Sequence, residues 1–353
     1  MSNASGPGRP AASEGTEASS FDTRKHTPVQ RLQHFLHGNP AAVPMIVVVV
    51  SVVVFAATIG PKFYSAFTLT LILQQVAITG IVSAGQTLII LTAGIDLSVG
   101  SIMVLSSVVM GQFAMHYGVP GFVAVIAGLA AGGLCGLING LLVSLVKLPP
   151  FIVTLGTWSI FGAITFIYSG NETVRSQDID QTAPILHFFG NSFRIGHAVF
   201  TYGVILMVAL SALLWFALNK TAWGRHVYAV GDDKNAAMLA GIRTGRVLVS
   251  VYVVTGLICG LAGWALIGRI GSVSPQAGQL ENINAITAVV IGGTSLFGGR
   301  GSILGTLFGA LIVGVFSLGL RLLGTDPQWT QLTVGALIII AVATDQWIRK
   351  VSA

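Results

Sequence analysis

The sequence predicts an all-α protein: a polytopic membrane helix bundle of about ten transmembrane helices, with both termini cytoplasmic. Three observations predict it. Of 353 residues, 53% are hydrophobic and only 8% are charged, against about a quarter charged in soluble domains. The mean hydropathy is +0.82, so most of the chain's surroundings are expected to be lipid. The apolar residues fall in runs close to the ~20 residues that a helix needs to cross a bilayer.

Taken in order, residues 1–38 are rich in Ser, Ala, Gly, Pro and charge and are expected to be a disordered cytoplasmic tail. No short apolar core follows the start Met, so a cleaved signal peptide is not expected. The transmembrane domain is expected over 39–353. Its apolar segments are Val43–Gly60, Thr68–Leu91, Ser101–Tyr117, Pro120–Val146, Phe151–Ser169, Ala198–Leu218, Val247–Ile267, Ile283–Phe297, Ile303–Leu323 and Trp329–Trp347. The eighth is short and reads as a half-span or a broken helix. The 44 glycines show no three-residue period and suit close packing of helices in lipid, where small residues let backbones approach.

Charge orients the bundle. With the N-terminus inside, thirteen of the eighteen Lys and Arg residues fall on the cytoplasmic side and five outside, the bias that orients membrane helices. The net charge of +6 is therefore read as topology, and no nucleic-acid partner is expected. Two connections are long. The periplasmic one covers 170–197 and the basic cytoplasmic one 219–246. Cys135 and Cys259 lie inside apolar runs and read as packing residues. No His, Cys, Asp or Glu cluster has metal-ligand spacing, and no Ser/His/Asp arrangement suggests an enzyme. None of the six lysines follows a glycine, so a P-loop for a triphosphate is absent.

The cytoplasmic connection carries the clearest local signal. Asp232 or Asp233 can cap a short helix. Asn235 to Ala240 are good helix formers, and Gly241 is a natural stop. Elsewhere, Gly94–Ile102 has an echo in Gly293–Ile303, each between two apolar runs. Internal repeats of this kind occur in transporters. Asp96 is either a functional carboxylate at membrane depth or, the favoured reading, a cap for the next helix with Ser98 beside it, between Gly94 and Gly100.

At this loop the chain resembles a known family. Asn235-Ala236-Ala237-x-x-x-Gly241 resembles the Glu-Ala-Ala-x-x-x-Gly coupling motif of bacterial ABC import permeases, with Asn in place of Glu. The preceding Gly224-Arg225-His226-Val227-Tyr228-Ala229-Val230-Gly231 looks like the loop of the ribose/xylose/fructose branch. Gly85–Ser101 and Ala288–Ser302 are similar to that branch's two signatures, and the likeness runs from about Ala41 to the C-terminus. Gly94, Asp96, Ser98, Gly100, Gly293, Gly299 and Arg300 are the signature positions. One departure stands out. Where many members have Glu-x-Asp-Ala, this chain has Asn282-Ile283-Asn284-Ala285, and Gln279–Ile283 looks instead like fructose-type permeases.

The resemblance implies a homodimer of two permease copies enclosing one pathway in the inner membrane. It also implies a cytoplasmic ATP-binding subunit that binds the ATP and Mg, and a periplasmic sugar-binding protein. No cofactor is expected in this chain. Arg225, Gly231, Asn235, Ala236, Ala237 and Gly241 are the expected coupling residues. Among polar residues within spans, Gln86 and Asn139 with the nearby Trp158, and Asn282 and Asn284, are the expected pathway residues. The alternative is an ion-coupled secondary transporter, but almost no ionisable residue falls within the spans to form a relay.

Overall fold

A computed structural model describes residues 41–352. The expected tail, residues 1–38, lies outside them. Each of the ten apolar segments contains a helix: α1 (Ala42–Ile59), α2 (Ala66–Leu91), α3 (Val99–Met115), α4 (Gly121–Ser144), α5 (Pro150–Ser169), α7 (Tyr202–Lys220), α10 (Thr244–Ile270), α11 (Glu281–Ile291), α12 (Ile303–Leu322) and α13 (Pro327–Ser352). Between them lie α6 (Ser176–Thr182), α8 (Ala222–Asp232) and α9 (Lys234–Leu239). The chain is a helical membrane protein.

Seven of the helices, α1, α2, α4, α5, α7, α10 and α12, are long and apolar enough to cross a bilayer. Two of the others are cut short by buried breaks. α3 has 17 residues and α11 has 11, or about 25 Å and 16 Å at 1.5 Å per residue. Both fall below the ~30 Å hydrocarbon core. The irregular stretches beside them, 92–98 and 292–302, hold Asp96 (1% exposed), Ser98 (0%), Thr294 (3%) and Ser295 (3%). Non-helical backbone at membrane depth needs protein to cover it; these four polar side chains are covered, while Ala93, Gly293, Phe297 and Arg300 of the same stretches are exposed.

Local chemistry sets the starts and stops. The Ser65 side chain caps α2 by accepting from the Thr68 N–H, and Ser302 does the same for α12 with Gly305. Proline opens α5. More than half of the apolar window is buried in α2, α10 and α12, against less than a third in α1 and α5. The centre is held by close backbone approach. Gly132 and Gly136 of α4 face Gly256 and Tyr252 of α10, and a Cβ added at Gly136 would strike the Tyr252 carbonyl. This is small-residue packing one turn apart along each helix.

The end between α5 and α7 is folded rather than a simple loop. β1 (Ser192–Ile195) and β2 (Ala198–Thr201) pair antiparallel, with Phe193 opposite Phe200. The expected sixth span therefore begins at Tyr202, not Ala198, because its first four residues form a strand. β2 is fastened to α2: Gln74 Nε2 donates to the Val199 carbonyl at 2.7 Å. Trp264 Nε1 of α10 donates to the Ile185 carbonyl at 3.0 Å, and its ring meets Phe189 at 4.5 Å between centroids. Val174 and Val273 bond to each other's backbone.

Candidate coupling site

At the opposite end, the connection after α7 folds into two short helices. The Thr221 side chain accepts from the Gly224 N–H and starts α8. α8 buries Val227 and Val230, exposes Arg225, and is tied to α10 by Trp223 Nε1 donating to Ser250 Oγ at 2.8 Å. Of the two candidate caps for α9, Asp233 is the one used. Its Oδ1 accepts from the N–H groups of Asn235 and Ala236 at 2.8 and 3.0 Å.

α9 ends at Leu239 and is closed two residues on by Gly241, whose φ of +84° is left-handed. The Ile242 N–H reaches the Ala237 carbonyl and the Gly241 N–H the Met238 carbonyl, both at 3.0 Å. This is the paired closure that a left-handed residue permits. A Cβ at Gly241 would meet nothing within 4 Å, so backbone conformation alone selects glycine there. Within α9 only Ala237 is buried. Asn235 and Ala236 face outward, as do Met238 at 59% and Leu239 at 87% exposure. Sequence reasoning missed these last two. Their signal was two large apolar residues on a short helix of otherwise small and polar residues.

The other predicted motifs converge on α8. Gly231 lies so close to the end of α2 that a Cβ there would collide with the Leu91 carbonyl and approach the Gly299 nitrogen to 2.8 Å. The Gly299 N–H donates to that same Leu91 carbonyl at 3.0 Å. Tyr228 Oη donates to the Gly301 carbonyl at 2.9 Å, and Asp232 packs on Gly299. Thus α8, the end of α2 and the 292–302 loop make one junction, with Arg300 exposed beside it. Gly293 sits at the head of that loop, one residue past α11's C-cap.

From Leu91 the chain turns back into protein. Asp96 Oδ1 accepts from the Ser98 N–H at 2.7 Å and the Ser98 hydroxyl at 2.6 Å, so the carboxylate ties the turn before α3 and does not, as was expected, cap the helix; the N-cap is Ser98, with no side-chain cap bond. Asn139 Nδ2 donates to Ser98 Oγ at 2.8 Å. Gln86, with its amide nitrogen turned to the Asp96 carbonyl, makes two bonds to the Asp96 backbone at 3.2 Å each. Thr154 Oγ1 donates to the Ile95 carbonyl at 3.0 Å, and Asn282 Nδ2 to the Leu97 carbonyl at 3.2 Å. Gly94 and Gly100 are buried at the ends of this loop.

The expected pathway residues therefore separate. Gln86 and Asn139, each 0% exposed, and Asn282 brace the 92–98 loop. Trp158 instead lines a cavity of about 480 Å³ between α3, α5 and the stretch before α11, with Ser101, Ser159, Thr165 and Gln279. Asn284 lines a second cavity of about 350 Å³ with Gln75, Arg321 and Gln331. Cys135 and Cys259 are free and buried. No group of His, Cys, Asp and Glu among the described residues could hold a metal.

The helix bundle thus has two irregular stretches, 92–98 and 292–302, that meet α8 at one end. The chain belongs to the family described as branched-chain amino acid transport system / permease component, which matches residues 68–342. It is 69% identical to the fructose import permease protein of Rhizobium meliloti, over 97% of this chain and 95% of that protein. It is 40% identical to the ribose import permease protein of Bacillus subtilis (strain 168), over 85% of this chain and 90% of the other. With the D-allose transport system permease protein of Escherichia coli (strain K12) the identity is 36%, over 86% and 91%. No solved structure matches the chain.

Proposed function

We propose that this chain is the membrane-spanning subunit of an ATP-driven, binding-protein-dependent monosaccharide importer of a bacterial inner membrane, with fructose its first substrate and ribose or xylose the related alternatives. The observation that carries the sugar is the 69% identity, along nearly the whole chain, to a fructose import permease. The capped, exposed α9 is the surface on which a cytoplasmic ATP-binding subunit docks, through Asn235, Ala236 and Gly241 with Met238 and Leu239 at the tip. That subunit supplies the ATP and Mg site. Two copies of this chain enclose the pathway, which passes Trp158 and Asn284, and a periplasmic sugar-binding protein delivers ligand to the β-hairpin end.

Ten crossings with both termini cytoplasmic are part of this reading. α2 begins at the hairpin end, where Thr70 meets Val199, and finishes at α8. α3 then runs back, and α4 starts at Gly121, which meets Ile185. α10 rises to Trp264 and Gly268, and residues 271–291 return to the junction through α11. In this reading the short α3 and α11 each complete a crossing together with the irregular stretches beside them.

The test is uptake into proteoliposomes holding the permease, its ATP-binding subunit and, on the outer side, fructose-loaded binding protein. ATP-dependent fructose entry, reduced by excess competing sugar only when that sugar loads the binding protein, is the expected outcome. Uptake driven by an ion gradient without ATP would replace this reading with the secondary-transporter one. Trp158→Ala is expected to slow entry while hydrolysis stimulated by the binding protein continues.

A further inference from the structure

We infer that the 92–98 loop is the element that carries movement of α9 to the walls of the Trp158 cavity, and that Tyr228 and Asn282 are the positioning residues that hold its two ends. The inference rests on the coupling role given to α9 above.

The near end is joined to the docking helix by contacts that cannot slip. Asp233 links α8 directly to α9. Gly231 of α8 presses backbone on backbone against Leu91, the last residue before the loop. The Leu91 carbonyl is also held by the Gly299 N–H. Tyr228 fixes the stretch that carries Gly299, through its 2.9 Å bond to the Gly301 carbonyl. With no side chain between Gly231 and Leu91, a displacement of α8 has no rotamer to relax into. Close-packed interiors transmit such strain rather than absorb it.

The loop itself is braced as a unit. Gln86 and Asn139 hold Asp96 and Ser98, and Thr154 holds Ile95. Its far end opens on the cavity from both sides. Gly100 and Ser101, two and three residues past Ser98, line one wall. Asn282 donates to the Leu97 carbonyl, is 3% exposed, and lies two residues past Leu280, the last residue of the opposite wall. Both of these walls therefore hang from the loop that begins after Leu91, the residue on which α8 presses.

The experiment uses the importer purified with its ATP-binding subunit and reconstituted with fructose-loaded binding protein. Tyr228→Phe and Asn282→Ala are each compared with wild type for ATP hydrolysed per assembled complex and for fructose moved per ATP. Hydrolysis is expected to stay within about twofold while fructose per ATP falls about fivefold or more, the size of an ordinary coupling between sites. The double variant is expected to be no worse than about the weaker single, because the two residues act in series. Unchanged fructose per ATP, or hydrolysis and transport falling together, would overturn the inference and leave the two residues merely structural. Failure of wild type to move fructose with ATP would instead overturn the proposed function.

Discussion

Gly231 shows how far a single residue's environment can be read. Its Cβ position is occupied by the Leu91 carbonyl, a backbone atom that cannot rotate away. Gly231→Ala should therefore destabilise the chain by about 1–3 kcal/mol, the usual cost of forcing an atom into a packed interior. Thermal unfolding of the detergent-purified protein would measure it, and an unchanged midpoint would refute the close contact. Asn139→Ala should cost about 1–3 kcal/mol as well, because the Ser98 hydroxyl that receives its amide is buried. At this scale the sequence was informative where partners are near in the chain. Asp96 and Ser98, two apart, were legible as a pair at the entry to α3, although the carboxylate ties the turn before the helix and not its first turn. Gln86 and Asn139 were visible as polar residues in apolar runs, but not their partners. Asn139 lies 41 residues from Ser98, a separation that no local spacing encodes, so the two amides read as pathway-facing when they are braces.

α9 is an element whose existence depends on its ends. Six residues lie below the length at which propagation offsets nucleation, so caps decide whether it forms. Asp233→Ala removes the acceptor of two N–H bonds and should cost the helix about 1 kcal/mol. Gly241→Val places a branched side chain at φ +84°, where an L-residue pays about 1–2 kcal/mol. Both variants should insert normally, because neither side chain packs in the bundle, yet recover less ATP-binding subunit on purification. Full recovery with Gly241→Val would count against α9 as the docking surface. The capping signals made this helix legible to within a residue. The same pattern reasoning failed at Ala198–Thr201, where four apolar residues before a helical run fit strand and helix equally. What makes them a strand is pairing with Ser192–Ile195 and the Gln74 bond from α2, both outside the local window. The eighth segment was legible as short, since its apolar run is interrupted by glycines, but the burial that allows a short helix at that depth is a property of its neighbours.

Across the whole molecule, sidedness follows from charge and from the alternation of helices between two ends. Lys and Arg gather at the end that carries α8 and α9, and the hairpin end is poor in them, the bias on which the proposal of α9 inside and the hairpin outside rests. Parity makes the arrangement testable. If the 271–291 stretch failed to cross, everything after it would be inverted, including the end of α13. The native cysteines suit a labelling experiment, because Cys135 and Cys259 are 6% and 0% exposed and should stay silent to a membrane-impermeant maleimide. Ile195→Cys, at a position 64% exposed on β1, and Leu239→Cys, at one 87% exposed on α9, then report opposite faces. Label should reach position 195 in intact spheroplasts and position 239 only after the membrane is opened, and a cysteine added after the last residue should behave like position 239. If that terminal cysteine reacted from outside while positions 195 and 239 kept their sides, the number of crossings after α9 would be odd, and one of the two later helices that fall short of a full apolar span, α11 or α13, would have to be a non-crossing element. The junction at Gly231 would survive that result, since it depends on contacts at one end. The proposal that both termini are cytoplasmic would not.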